Sequence, residues 1–505
     1  MFRFSPIKGG IHPDSHKDHT ANRDILTSMP LPERLYLPLF QQAGASALPV
    51  VGIGDHVLKG QQIAVTGGGL SAHIHAPTSG KIIAIEDIVA PHPSGLPAPA
   101  MVLESDGDDL PLEQPSICNP FTRDPEELAT EVEQAGIVGL GGAIFPSAVK
   151  LRQGRRFEIK TLIINGGECE PYLTTDDRLM QERAEQIVEG ARLIQHIIEA
   201  YAVIIAVEDN KPNAIAALKK AAAPHGKLRV AVVPSMYPMG SAKQLIQAVT
   251  GEEVPAGMRS NDLGILVHNV ATAYAIQQAL CFKRPLTSRV VTVGGSCITS
   301  PHNVEALFGT PISHLIEYCG GLKREPARLI MGGPMMGQTL PSINTPVMKG
   351  TSAILALSPE EVNEKSPDPC IRCSRCVSAC PMGLVPLEMA KHVKAESFDG
   401  AQTYGLRDCI LCGSCSYVCP SHIPLVNYFE YAKGELKNQR TAAQKLAYTQ
   451  QLTKAREERI EKEAAAKKAA KNKKRRSRDR PASKSTPSST PSETSSSEPT
   501  AENES

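Results

Sequence analysis

Eight cysteines between residues 370 and 419 fall in two runs whose spacing suits iron. Cys370, Cys373, Cys376 and Cys380, followed by Pro381, are spaced C-x2-C-x2-C-x3-C-P. Cys409, Cys412, Cys415 and Cys419, followed by Pro420, repeat that spacing 39 residues later. Three closely spaced thiolates wrap one face of a four-iron, four-sulfur cube, while the x3 interval and the proline carry the fourth thiolate to the other cluster. The spacing therefore predicts two 4Fe-4S clusters: one on Cys370, Cys373, Cys376 and Cys419, the other on Cys409, Cys412, Cys415 and Cys380. A structural zinc site needs four ligands and leaves the third cysteine, the proline and the repeat without a reason. Cys118, Cys169, Cys281, Cys297 and Cys319 lack ligand spacing; they read as thiols acting as small hydrophobes, with Cys169 set apart by its neighbours Glu168 and Glu170.

A second chemistry is written in GLGGAIFPSAVK, Gly139 to Lys150. Clustered glycines let backbone N–H groups approach a phosphate or an isoalloxazine, and Lys150 can neutralise phosphate charge. Taken alone, the cluster reads equally as a tight, sterically packed turn. It is followed, however, by the apolar run TLIIN (Thr161 to Asn165) leading into GGECEPYLTTDDRLM, which puts Glu168 and Glu170 at the C-terminal end of a strand. Open α/β sheets bind ligands at such ends.

These two segments resemble the flavin-binding subunit of respiratory complex I, through Gly139, Gly141, Gly142, Phe145, Pro146 and Lys150 in the loop and Asn165, Glu168, Glu170 and Pro171 after the strand. The resemblance implies that Asn165 and the loop glycines contact FMN, that Phe145, Lys150 and Glu170 contact NADH, and that Glu168 belongs to the same cofactor site. Asn269 and Thr272 in HNVAT fit the later flavin-contact stretch. Gly167 stands where the family has an aspartate, and Ser241 and Ala242 where it has paired glutamates, which implies a weakly held FMN.

The elements that must position these groups change character along the chain. After an N-terminal segment (residues 1–30), residues 31–105 read as short strands, and Gly52 to Val65 with His75 to Glu86 resembles the barrel-sandwich hybrid of lipoyl and biotinyl domains. The hairpin between its halves, Gly67 to His73, has no lysine, so a structural β-module is expected rather than a covalent carrier. Residues 125–285 alternate helical periodicity with apolar runs such as Ala202 to Glu208 and Leu228 to Pro234, the pattern of an α/β domain with helices on its sheet faces. Short strands with glycine turns over 287–345 suggest a small α+β, β-grasp-like insert. The cluster domain is expected over 360–435, and a solvated helix, rich in helix formers, over 436–470. Residues 471–505, basic and then Ser/Thr/Pro-rich, cannot bury enough apolar surface to order themselves. His12, His73 and His75 show no repeating ligand spacing and suit turn or core hydrogen bonds.

The whole composition excludes several classes. Lys plus Arg number 54 against 53 for Asp plus Glu, which gives the whole chain no bias toward nucleic acid or an acidic partner, so only local charge can matter. No apolar run reaches signal-peptide or membrane-spanning length, so a chain without its own transmembrane segment, with thiols kept reduced, is expected. The order of segments, with GGIHP (Gly9 to Pro13) and GGPMMG (Gly332 to Gly337), resembles the RnfC family, one of the subunits of the Rnf, or Rsx, ion-translocating oxidoreductase complex. That family implies a peripheral subunit on the cytoplasmic side of a bacterial inner membrane. There it passes electrons between NADH and ferredoxin through membrane subunits that move Na+ or H+. Two alternatives stand: a diaphorase subunit of a soluble hydrogenase or formate dehydrogenase, and a relay and docking subunit with a vestigial flavin site.

Overall fold

The computed structural model describes residues 7–113, 119–362 and 365–478. Two compact units divide the chain at Lys433 and Gly434. In the first unit, residues 31–105 form two facing antiparallel sheets. One runs in the order Arg34–Pro38, Pro97–Ser105, Gly80–Val89, His56–Val57, and the other joins Leu48–Pro49, Gln62–Val65 and Ile74–His75. Alternation along the strands sets the core: Leu35, Leu37, Ile82, Met101 and Leu103 turn inward and are wholly buried.

The α/β domain holds four parallel strands in the order Leu228–Val233, Ala202–Glu208, Thr161–Gly166, Ile265–Asn269. Helices cover the sheet, so its inner strands read as near-continuous apolar runs rather than alternating; in Ala202–Glu208 all but the first residue are buried. The last two strands pair with Asn165 opposite Asn269, bringing two nominated residues side by side at the strands' C-terminal ends.

The third domain corrects the expected boundary at 345. Its five-stranded sheet runs His302–Leu307, Ser288–Gly294, Ala353–Leu357, Arg328–Met331, Gln338–Thr339, and the central strand lies beyond that limit with all five residues buried. The polar loop before Ala353 hides this strand from a pattern reading. The loop also carries Lys349, whose buried Nζ donates to the carbonyls of His73 (2.6 Å) and Gly136 (2.7 Å). One lysine thus ties the β-module, the α/β domain and the third domain together. Its burial lowers its pKa to about 7.

Short helices Arg375–Ser378, Pro386–Lys394, Phe398–Thr403 and Ser414–Tyr417 build the cysteine-rich segment. The second unit is the continuation of one helix, Leu425–Arg478. This helix corrects the expected start of disorder at 471, because Lys471 to Arg478 are helical. Lys, Arg and Ala are good helix formers, and no proline intervenes between Pro424 and Pro481. The remainder of the expected tail, 479–505, lies outside the described residues, as does Cys118.

Two cysteine quartets and a glycine cradle

The two cysteine runs share one backbone. Arg372 and Ser374 have φ of 53° and 60°, and their counterparts 39 residues on, Leu411 and Gly413, have φ of 55° and 76°. Gly383 and His422 match in the same way at 63° and 49°. Left-handed residues at fixed offsets curl each loop so that its thiols face inward. Arg372 N–H lies 3.4 Å from Cys370 Sγ and Leu384 N–H 3.4 Å from Cys380 Sγ, the N–H···S contacts that stabilise a thiolate.

The fourth cysteine of each run crosses over. Cys370, Cys373, Cys376 and Cys419 surround one cavity of about 260 Å³. Cys380, Cys409, Cys412 and Cys415 surround a second, tighter one. Among the described residues no three His, Cys, Asp or Glu side chains converge on a single ion; each quartet is spread around a space, as ligands to a multi-iron cube are. Both quartets fit a 4Fe-4S cluster in donor chemistry and in arrangement. They differ in setting: Cys370 and Cys373 are exposed, whereas Cys412 and Cys415 are buried.

The inner quartet is clamped from three sides. The N-terminal GGIHP strap passes beside it, with Gly10 N–H bonded to the Ala379 carbonyl and Ile11 exchanging backbone bonds with Tyr237. A Cβ on Gly9, whose φ is +67°, would stand 2.4 Å from the Cys380 carbonyl oxygen, so the strap needs glycine there. Tyr237 Oη donates to the Cys412 carbonyl at 2.7 Å. Met335 of GGPMMG lies on the third side; a Cβ on Gly413 would be 3.1 Å from its carbonyl oxygen. Sequence spacing nominates neither Gly9 nor Tyr237; the GGIHP motif is the only signal of the former.

The glycine loop is closed by Gly139 N–H donating to the Phe145 carbonyl. Thr272, wholly buried, accepts from Leu140 N–H at 2.9 Å and pins the loop to helix Val270–Phe282. A Cβ on Gly141 would be 3.0 Å from Asn269 Cβ, while Gly142 (φ +111°) faces open space. Asn269 caps that helix through Ala271 N–H and donates to Asp176 Oδ2 at 2.6 Å. Asn165 receives Gly167 N–H at 2.8 Å and donates to the Gly240 carbonyl at 2.8 Å. Gly139, Gly141, Gly142, Asn165, Asn269 and Thr272 are thus one constellation. Open space at Gly142 meets the N-terminus of helix Val270–Phe282 there, and this fits a phosphate-bearing flavin.

Other nominated residues are engaged differently. Glu168 caps helix Thr175–Glu182, accepting from Thr175 Oγ1 (2.9 Å), Asp176 N–H (3.0 Å) and Asp177 N–H (3.2 Å). The carboxylate complements the helix dipole rather than facing the open cradle. Its backbone carbonyl accepts from Lys17, a half-buried lysine that no sequence motif marks, whose pKa is lowered by burial of its ammonium. Lys150 Nζ donates to the Val267 carbonyl, and burial lowers its pKa to about 8. Glu170 accepts from Met335 N–H at 3.0 Å, and burial raises its pKa to about 7. Phe145 is partly buried in the loop. His73 bonds Gln62 Nε2 at 2.9 Å, and burial of His75 depresses its pKa to about 3.

A cavity of about 570 Å³ shares a wall with the cradle: Leu140 and Asp176, bonded to Thr272 and Asn269, line it. None of the nominated flavin residues does, so the cradle is identified by its chemistry and not by cavity size.

Cradle and inner quartet meet through one loop. Gly240 packs on Gly167, where an added Cβ would be 2.2 Å from the Gly167 carbonyl oxygen, and three residues earlier Tyr237 reaches Cys412. Cys169 takes the same loop's Gly240 N–H at 3.3 Å and packs with Tyr237, Ile11 and Cys412.

Comparison with known proteins follows this division. Residues 5–108 match the RnfC barrel sandwich hybrid domain, 132–278 the Nuo51 FMN-binding domain, 290–339 the SLBB domain and 369–423 the 4Fe-4S dicluster domain. The RnfC subunit of the ion-translocating oxidoreductase complex of Rhodobacter capsulatus is 47% identical over 436 residues, covering 86% of this chain and 84% of the relative. The Klebsiella pneumoniae protein of the same name is 44% identical, covering 91% of this chain and 61% of the longer relative. Among solved structures, an NAD+-reducing [NiFe]-hydrogenase in the H2-reduced state is 19% identical, with a TM-score of 0.44 over 63% of this chain and 61% of that one. An FMN-binding domain and a two-cluster module joined in one chain make an electron-transfer protein, and the chain belongs to the RnfC family of ion-translocating oxidoreductase subunits.

Proposed function

We propose that this chain is the peripheral subunit through which electrons from NADH enter a membrane-bound complex, pass toward a ferredoxin-type acceptor and drive ion movement in membrane subunits. The proposed site is the cytoplasmic face of a bacterial inner membrane. Among the described residues no helix is long and apolar enough to cross a membrane, so this reading relies on other subunits for the ion path. Bound FMN supplies the conversion of a hydride's two electrons into single electrons that iron–sulfur clusters can take.

One observation carries the reading. The loop from Tyr237 to Gly240 touches the flavin cradle at Asn165 and the buried quartet at Cys412, while the other quartet opens to solvent. Cradle, buried quartet and exposed quartet are thereby strung in an order that leads outward. In this reading the loop glycines, Asn165 and Asn269 hold FMN, Glu168 acts on it through the helix it caps, and Phe145, Lys150 and Glu170 border the nucleotide. The eight cysteines ligate the clusters in the crossed arrangement.

Anaerobic titration of the reconstituted protein with NADH tests this. Bleaching of the cluster absorbance by NADH alone is expected. Bleaching by dithionite but not by NADH would instead favour the relay reading, to which the mutual packing of Gly167 and Gly240 gives support. Co-sedimentation with membranes separates the leading reading from a soluble diaphorase.

A further inference from the structure

The exposed quartet is ringed by exposed cations, whereas the buried one has Lys433 at its edge, its Nζ donating to the Cys409 carbonyl. Arg372, Lys391 and Lys394 line the outer cavity and are exposed, and no carboxylate lines it. The inner cavity has no charged lining residue at all. The difference is not a property of the motif, because the repeat places Leu411 where the first run has Arg372, on the same left-handed backbone. Ile371 adds a second, independent sign: it is 68% exposed at the mouth of the outer cavity, whereas its counterpart Ile410 packs against buried core. An exposed apolar side chain beside a redox site, rimmed by like charges, has the anatomy of a transient protein interface.

We propose that this face docks an iron–sulfur protein that presents carboxylates around its own cofactor, with Ile371 at the centre of the contact and Arg372, Lys391 and Lys394 at its rim. The proposal rests on the electron-transfer reading above and names the partner chemistry of its outlet. Charge complementarity selects the occupant. A basic rim repels a basic carrier, steers an acidic one, and leaves an exposed cluster unreactive toward most collisions. Lys391 pairs with Glu388 at 3.6 Å within its own helix, yet its side chain stays 74% exposed, and a pair this open to solvent gives way readily to a partner's carboxylate. Lys394 lies 5.0 Å from the Tyr428 ring, which holds its ammonium at the rim.

Binding of an acidic two-cluster bacterial ferredoxin to the cluster-loaded protein, measured by surface plasmon resonance, tests this without NADH. Kd is expected to weaken about tenfold or more between about 50 and about 500 mM salt, where screening removes rim attraction. Lys391→Glu with Lys394→Glu should weaken binding about tenfold at low salt and flatten that dependence. Lys391→Gln with Lys394→Gln should fall between, with iron content unchanged. Basic cytochrome c should show the opposite order, binding the Glu variant better than the parent. Salt-independent binding, or equal Kd for parent and Glu variant, overturns the proposal. So does a shift in the outer cluster's potential with no change in Kd, which would make the cations compensators of cluster charge. Failure of the NADH titration with these results intact would remove the proposed electron donor and leave the docking face standing.

Discussion

The two cysteine quartets have the same spacing, the same left-handed residues at the same offsets and opposite surroundings. The inner one is walled by the N-terminal strap, Tyr237 and Met335; the outer one has exposed Cys370 and Cys373 and a basic rim. Cluster potential depends on hydrogen bonds and solvent exposure as well as on ligands. A duplicated ligand set therefore yields two unequal electron sites. What differs is what the rest of the chain lays over each.

The largest expected effect breaks the comparison at the crossover. Cys380→Ser should remove or alter the same paramagnetic signal as Cys409→Ser, because both thiols face the inner cavity. Cys419→Ser should instead match Cys370→Ser. Electron paramagnetic resonance of the reduced variants reads this, and a Cys380→Ser spectrum matching Cys370→Ser would refute the crossing.

The next effect should strike one quartet only. Gly9→Ala forces a side chain into a left-handed backbone and against the Cys380 carbonyl, a cost of about 2 kcal/mol or more. Loss of the strap should expose the inner cluster, so its signal should decay faster in air while the outer signal keeps its parental rate.

Glu170 sharpens the comparison through pH. Its carboxyl holds Met335, which packs over Gly413, and its pKa is raised from 4.5 to about 7. The folded state thus binds this proton more tightly than the unfolded chain does. The corresponding stability is fully present below pH 4.5 and is lost as pH rises through about 7. Glu170→Gln should flatten that part of the Tm profile, staying near the parent below pH 4.5, where both side chains are neutral, and above it in stability past pH 7, and should raise the KM for NADH. An unchanged KM would assign Glu170 to holding the GGPMMG loop alone.

Tyr237→Phe is expected to be the mildest. It leaves the Cys412 carbonyl without its 2.7 Å partner, at about 1 kcal/mol. Redox titration should show a small shift in the inner cluster's potential and none in the outer one's.

The cluster ligands are legible in the sequence because cysteine spacing is local: a few residues of chain dictate where each thiol can reach. The α/β and β-module segments are legible for the same reason, their periodicities being short. The central strand Ala353–Leu357 escapes such a reading because its role depends on neighbours far away in sequence, and the helix runs past 470 because nothing local stops it. Glu168 shows the limit most plainly. Its type and place suggest a ligand contact, yet the fold sets the N-terminus of helix Thr175–Glu182 within reach, and three donors there take the carboxylate. Sequence alone determined that this protein holds two crossed quartets and a glycine loop beside a strand end. Only the tertiary structure decided which quartet is buried and which carries the cationic rim, because burial and field are summed over groups the chain brings together from hundreds of residues apart.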